Sequence, residues 1–277
     1  MNIQRLSSFS DGEIGGNPAG VVVSERHPSE SDMQSIAADV GYSETAFVAS
    51  TSSGWRVRYF SPESEVPFCG HATIALGAAL AKEHGPGVFP LELNETSITV
   101  EGFKENNIYS AALQSPETRS EHAADAEVES ALNLFGYSSD DLDKKLPPAR
   151  ANGGAEHLII GLNSRSALSA LNYELDQGRI FMRKSNLVTI MFVYSETDQK
   201  FHSRNPFASG GVYEDPATGA ASAAFAGYLR DIKWPHSGEI NIVQGEDMGS
   251  RSLINAKITD VIGSSIRISG TVRDIVS

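Results

Sequence analysis

The chain carries one cysteine, Cys69, and two tryptophans among its 277 residues. One cysteine excludes a disulfide within the chain and any zinc site built from several thiolates. No Lys/Arg-rich run is present either: 22 basic residues stand against 35 acidic ones, a formal charge of −13. Duplex nucleic acid and anionic membranes are therefore not expected as partners, although a local pocket can still take a small anion. The apolar runs, such as TIALGAALA (73–81), fall well short of the roughly 20 residues that span a bilayer. The opening MNIQRLSSFSDG lacks the apolar core of a signal peptide. These absences lead to the expectation of a soluble, cytoplasmic protein.

What is present is enough apolar material, 40% of the residues, for one large domain or two of ordinary size. Short β-branched runs recur as strand candidates: VVV (21–23), TAFVA (45–49), WRVRYF (55–60), SITV (97–100), HLIIGL (157–162), LVTIMFVY (187–194), EINIV (239–243) and IRISGTV (266–272). SDMQSIAADVG (31–41) has a Ser/Asp cap and a closing glycine, the pattern of a short helix. HATIALGAALAKEHG (71–85) and GAASAAFAGYLRD (219–231) are helical but small all round. Such helices are expected to be enclosed by strands. The polar segment 115–129 and DKKLPPARANGG (143–154) read as loops or linkers.

The chain also echoes itself. Glu65, Pro67 and Gly70 introduce the first small-residue helix, and Glu214, Pro216 and Gly219 introduce the second, 149 residues later in each case. Thr73 aligns with Ser222 and Leu80 with Leu229, and each copy follows a strand that carries an arginine, Arg58 or Arg204. The shared E-x-P-x-x-G entry indicates a duplicated strand–turn–helix unit, hence two similar domains.

Each copy delivers a glycine to a helix N-terminus, where unpaired N–H groups and a partial positive charge bind carboxylates. Two such ends facing one cleft would form an anion site; alternatively, both glycines only relieve crowding. His71 falls in the first turn, as a proton partner or a structural residue. Asp215 precedes Pro216, as a site residue or a helix cap. Glu44, in GYSETAFV, either faces water or serves as a general base beside an apolar wall. Cys69 aligns with Thr218, so a two-thiol racemase lacks its second thiol.

GNPAGVVV (16–23), YSETAFV (42–48), RYFSPESEVPFCGHAT (58–73), GGVYEDPATGAASA (210–223) and QGEDMGSRS (244–252) resemble the PhzF-like phenazine-biosynthesis isomerases, relatives of diaminopimelate epimerase. The motifs run in family order from about residue 3 to about 272. The resemblance implies an α/β (α+β) fold of two pseudo-symmetric domains, each a largely antiparallel sheet wrapped around a central helix. The domains would span 1–117 and 118–265, with the last strand (266–277) packed on the first. It further implies isomerisation of a small carboxylic acid by proton transfer in the inter-domain cleft, with no cofactor and no metal, commonly in a homodimer.

Position by position, Glu44 matches the family's proton-shuttling glutamate, while His71 and Asp215 match groups that assist it. Asn17, Cys69, Gly70, Thr218, Gly219 and Ala220 fall where the substrate is held. Ala220 replaces a family serine, residues 248–252 read Met-Gly-Ser-Arg-Ser instead of M-G-R-P-S, and the expected R-x-F-x-P reads Arg-Asn-Pro-Phe-Ala at 204–208. Two further readings stand beside the isomerase: a cofactor-free racemase or epimerase using Cys69, and a binding protein that retains the cleft without the chemistry.

Overall fold

The strand and helix patterns take form in a computed structural model that describes residues 2–276. Contacts divide the chain into two units, Met1–Gln114 with Ser269–Ser277, and Ser115–Ile268. The first contains β1 (Gln4–Ser8), β2 (Asn17–Ser24), α1 (Glu30–Val40), β3 (Thr45–Ser50), β4 (Trp55–Phe60), β5 (Glu65–Val66), α2 (Gly70–His84), β6 (Gly87–Glu92), β7 (Ser97–Glu105) and β8 (Ile108–Gln114). The second opens with β9 (Arg119–His122), α3 (Asp125–Phe135), β10 (Ala149–Asn152), β11 (Glu156–Leu162), α4 (Arg165–Ser169) and α5 (Leu175–Lys184). It continues with β12 (Thr189–Ser195), β13 (Lys200–Arg204), β14 (Pro206–Phe207), β15 (Val212–Glu214), α6 (Gly219–Asp231), β16 (Glu239–Gln244) and β17 (Ser252–Lys257). The last strand is β18 (Arg267–Asp274), whose residues from Ser269 belong to the first unit.

In the first unit the strand order is β1-β2-β3-β4-β6-β7-β8-β18, and β18 pairs back onto β1, so the sheet closes on itself. Helix α2 lies against β1, β2, β3, β6, β7 and β8, and every residue from His71 to Ala81 is buried. The small side chains are what admit a helix so close to the strands. A Cβ on Gly77 would stand 2.5 Å from Val100 Cγ2 and 2.9 Å from the Ala111 Cβ. Gly77→Ala gains helix propensity, worth about 0.5–1 kcal/mol. The overlap, costing about 1–3 kcal/mol, outweighs it. Urea unfolding should therefore show a lower midpoint at an unchanged m-value.

The second unit repeats the pattern. From β1 to β7 the pairings along the first sheet run antiparallel, parallel, antiparallel, parallel, antiparallel. From β10 through β11, β12, β13 and β16 to β17 the same five directions recur in the same order. The second small-residue helix, α6, packs on β9, β10, β11 and β17 and is buried from Ala221 to Arg230. On the other face, α1 seals Val22, Phe47 and Phe60 with Met33 and Ala37. In the second unit α3, α4 and α5 cover Leu158, Ile160, Ile190 and Phe192. Strands buried on both faces show apolar runs instead of alternation, which is why VVV and HLIIGL read as they do. Each unit is thus a sheet packed on a central small-residue helix, the α/β (α+β) arrangement expected from the resemblance.

Two segments expected as loops are structured. Residues 115–129 contain β9 and the start of α3, and 143–154 contain β10. The apolar stripe of α3, Val128, Ala131, Leu132 and Phe135, lies mostly beyond residue 129, so its helical spacing is invisible in the segment taken alone. In β10 the buried residues are only Ala149 and Ala151, alternating with Arg150 and Asn152, too small to mark a strand by hydrophobicity. Among the described residues, no helix is long and apolar enough to cross a membrane.

Candidate active site

The chain enters α2 through Cys69, the N-cap residue, in extended conformation. Three hydroxyls then hold the first turn. Thr73 Oγ1 donates to the Cys69 carbonyl at 2.6 Å, so the Tyr59 hydroxyl, 2.7 Å away, must donate to Thr73 Oγ1. Burial pushes the Tyr59 hydroxyl above its ordinary range, which keeps it a donor. From β1, Ser8 Oγ donates to the His71 carbonyl at 2.7 Å. Ser8 faces Asn17 across the β1–β2 ladder, so the buried Asn17 shares the face of the sheet that meets this turn.

The His71 ring thereby has a defined place, buried between a carboxylate and a thiol. Its Nε2 lies 3.4 Å from Glu44 Oε2 and 3.4 Å from Ser43 Oγ, while Nδ1 lies 3.4 Å from Cys69 Sγ. Glu44 arrives from the turn after α1, which ends in left-handed Gly41 at φ 71°. Its carbonyl accepts from Gly20 N–H at 3.1 Å, and its side chain remains 20% exposed. In front of Gly70 there is space: an added Cβ would meet nothing nearer than Phe68 Cε1 at 4.0 Å. An anion can therefore approach the positive end of a fifteen-residue helix. Glu44, Cys69 and His71 are also a set of potential metal ligands, their donor atoms within 4.8 Å of one another.

In the second unit the corresponding turn holds Asp215, Thr218, Gly219 and Ala220. Thr218 Oγ1 donates to Asp215 Oδ2 at 2.5 Å. Both are gripped by Gln244, whose Nε2 donates to the Asp215 carbonyl at 2.7 Å and to Thr218 Oγ1 at 3.0 Å. The Gln244 Oε1 accepts from Asn205 Nδ2 at 3.2 Å and from Thr218 N–H at 3.3 Å. Fully buried at the end of β16, Gln244 is the main site-supporting residue that sequence reasoning missed. The signal available was an amide closing the apolar run EINIVQ, since a buried amide requires partners. Behind it, Thr189 Oγ1 contacts Asn205 Oδ1 at 3.5 Å and His157 Nδ1 at 2.8 Å. Burial lowers the His157 pKa to about 3, so this ring stays neutral.

The internal echo has a physical basis. Arg58 holds Glu65 through two hydrogen bonds of 2.8 and 2.6 Å, and Arg204 holds Glu214 through bonds of 3.1 and 2.5 Å. In each unit a bidentate pair ties the short strand before the helix to an earlier strand, β5 to β4 and β15 to β13. The Arg58 bond holds the Glu65 carboxyl below the usual carboxylate range.

The model of the phenazine biosynthesis-like protein family, PhzC-PhzF, matches residues 6–273. The chain belongs to this family. Among curated relatives, an uncharacterized isomerase of Escherichia coli K12, YddE, is 31% identical, the match covering 97% of this chain and 94% of that one. The trans-2,3-dihydro-3-hydroxyanthranilate isomerase of Pseudomonas aeruginosa is 29% identical, with 96% and 94% covered. The crystal structure of a Bacillus anthracis phenazine biosynthesis protein of the PhzF family superposes with a TM-score of 0.87 at 22% identity, covering 99% of this chain and 96% of that one. As a PhzF-family member the chain is an isomerase.

The structure brings Glu44, Cys69, Gly70 and His71 together, with Asn17 on the adjoining sheet face. Within the second unit, Asp215, Thr218, Gly219 and Ala220 share one turn.

Proposed function

We propose that the protein moves a proton between carbons of a small carboxylic acid, with Glu44 as the general acid and base and His71 as its partner. The observation that carries this reading is the 3.4 Å contact between Glu44 Oε2 and His71 Nε2 beside the open Gly70 end of α2. A carboxylate held next to a helix N-terminus can take a proton from carbon while the N–H groups bind the substrate's own carboxylate. In an unsaturated acid, returning that proton to another carbon shifts the carbon–carbon double bond without net gain or loss of atoms, so no second substrate is consumed. Asn17, Cys69, Gly70, Thr218, Gly219 and Ala220 are assigned to substrate binding, and Asp215 to assisting the proton's movement. Ala220 offers no hydroxyl, which favours a substrate with one polar group fewer at that point.

The test is proton exchange. In deuterated buffer, trans-2,3-dihydro-3-hydroxyanthranilate and a panel of small cyclic amino and hydroxy carboxylates should include a compound that gains carbon-bound deuterium, seen by mass spectrometry and NMR. Exchange should track a rise in melting temperature with that compound, through mass action on the folded state. A compound that raises the melting temperature but neither exchanges nor rearranges would support the binding-protein reading instead.

A further inference from the structure

Gln244 sits among partners whose polarity cannot change. The Asp215 carbonyl, 2.7 Å from Gln244 Nε2, can only accept, and the Thr218 main-chain N–H, 3.3 Å from Oε1, can only donate. These two backbone groups settle which way round the amide lies. We propose that Gln244 is a positioning residue that gives a buried hydrogen-bond chain one direction, ending on Asp215, so that Asp215 meets the ligand as an acceptor and not as a proton donor. The direction stands on geometry alone; its effect on turnover rests on the reaction proposed above.

Gln244 Nε2 gives its second proton to Thr218 Oγ1 at 3.0 Å. A hydroxyl has a single proton, and that of Thr218 goes to Asp215 Oδ2 at 2.5 Å. On the other side, Oε1 faces Asn205 Nδ2 at 3.2 Å. This turns Asn205 Oδ1 toward Thr189 Oγ1 at 3.5 Å, the longest link. The Thr189 proton is then committed to Asn205, so His157 Nδ1, 2.8 Å from the same hydroxyl, carries the proton of the neutral ring. That tautomer leaves a bare nitrogen at Nε2, where no partner stands among the described residues, and it avoids a stranded buried N–H. Every link from His157 to Asp215 points the same way.

The backbone keeps the amide from swinging away. Asp215 N–H donates to the Asn205 carbonyl at 3.0 Å. Gly245, at φ 72°, turns the chain immediately after Gln244, and a Cβ there would stand 2.8 Å from the Pro216 carbonyl oxygen. The end of β16 is thus pressed against the turn that carries Asp215, and breaking any link leaves buried polar groups unsatisfied.

The first measurement needs no ligand. In the 15N-labelled full chain, the Gln244 side-chain amide pair is identified by its absence in Gln244→Met. It should exchange into D2O at least about tenfold more slowly than exposed side-chain amides. Thr218→Val should shift that pair, because it removes the acceptor of one of the two protons. Exchange at the exposed rate, or resonances indifferent to Thr218→Val, would overturn the chain.

The second measurement is a double-mutant cycle on kcat/KM with the exchanging compound. Gln244→Met and Asp215→Asn should each lower it by about tenfold or more, and the double variant should be no slower than Asp215→Asn alone. A loss from Gln244→Met that carries unchanged into the Asp215→Asn background would overturn the positioning role, because a folding defect behaves in that way. Melting temperatures check the fold. If Gln244→Met does not fold, Gln244→Glu takes its place, since it keeps the acceptor oxygen and loses the donor. If no compound exchanges, the reaction proposed above fails, and the amide pair still decides the chain.

Discussion

Glu44→Gln lowers turnover by about 10²–10⁴-fold, the usual contribution of a positioned general acid or base. The amide matches the carboxylate in shape but cannot take a proton from carbon. The fold should survive, because the main-chain carbonyl of Glu44, and not its carboxylate, accepts the Gly20 N–H bond. The rate loss corresponds to about 3–5 kcal/mol of barrier, well above what a partly exposed side chain contributes to stability. Initial-rate kinetics on the exchanging compound provide the measurement. Cys69→Ser sets the comparison. The thiol touches His71 Nδ1 at 3.4 Å, so the cysteine-based reading retains a physical foothold. A small effect of Cys69→Ser beside a large one of Glu44→Gln supports the glutamate. The reverse ranking transfers the chemistry to the thiol.

Glu214→Ala destabilises the second unit by about 3–5 kcal/mol, the cost of stranding one member of a buried ion pair. The side chains of Arg204 and Glu214 are 8% and 3% exposed. Arg204 also donates to the Ser169 and Leu171 carbonyls at 3.1 Å each, so it cannot leave for solvent without breaking those bonds. The matching change in the first unit, Glu65→Ala, should cost only about 1 kcal/mol. Its pair is 20% and 23% exposed, and Arg58 retains Glu30 at 2.8 Å. Urea unfolding of the two variants measures the difference. Equal losses would mean that the contacts, and not their burial, set the stability.

The two pairs show how much of the site was legible. The spacing of Glu65 and Glu214, each a fixed distance before a helix-opening glycine, was visible in the linear chain. That each glutamate grips the arginine of the strand before it was not, because a bidentate contact depends on strand register and side-chain reach. Gln244 is the sharper case. It stood in a recognisable stretch, QGEDMGSRS, but a glutamine adopts whatever role its neighbours impose. Only pairing of β16 with β13 and packing of α6 bring it against Asn205, Asp215 and Thr218. Likewise Ser8 and Tyr59 are ordinary strand residues until α2 lies against them.

Through its family resemblance the sequence implied the α/β (α+β) class, and by itself it determined the duplication, the two enclosed helices and the residues that begin them. These depend on local pattern: runs of β-branched residues, small residues where a helix meets strands, and glycine at a helix start. Tertiary structure decided the closed ring of the first unit, the strands and helix hidden in polar segments, and the geometry of the site. It placed Glu44, twenty-five residues from Cys69, with its carboxylate 3.4 Å from the His71 ring. Long-range packing alone makes that contact, since no spacing rule links the end of α1 to the first turn of α2.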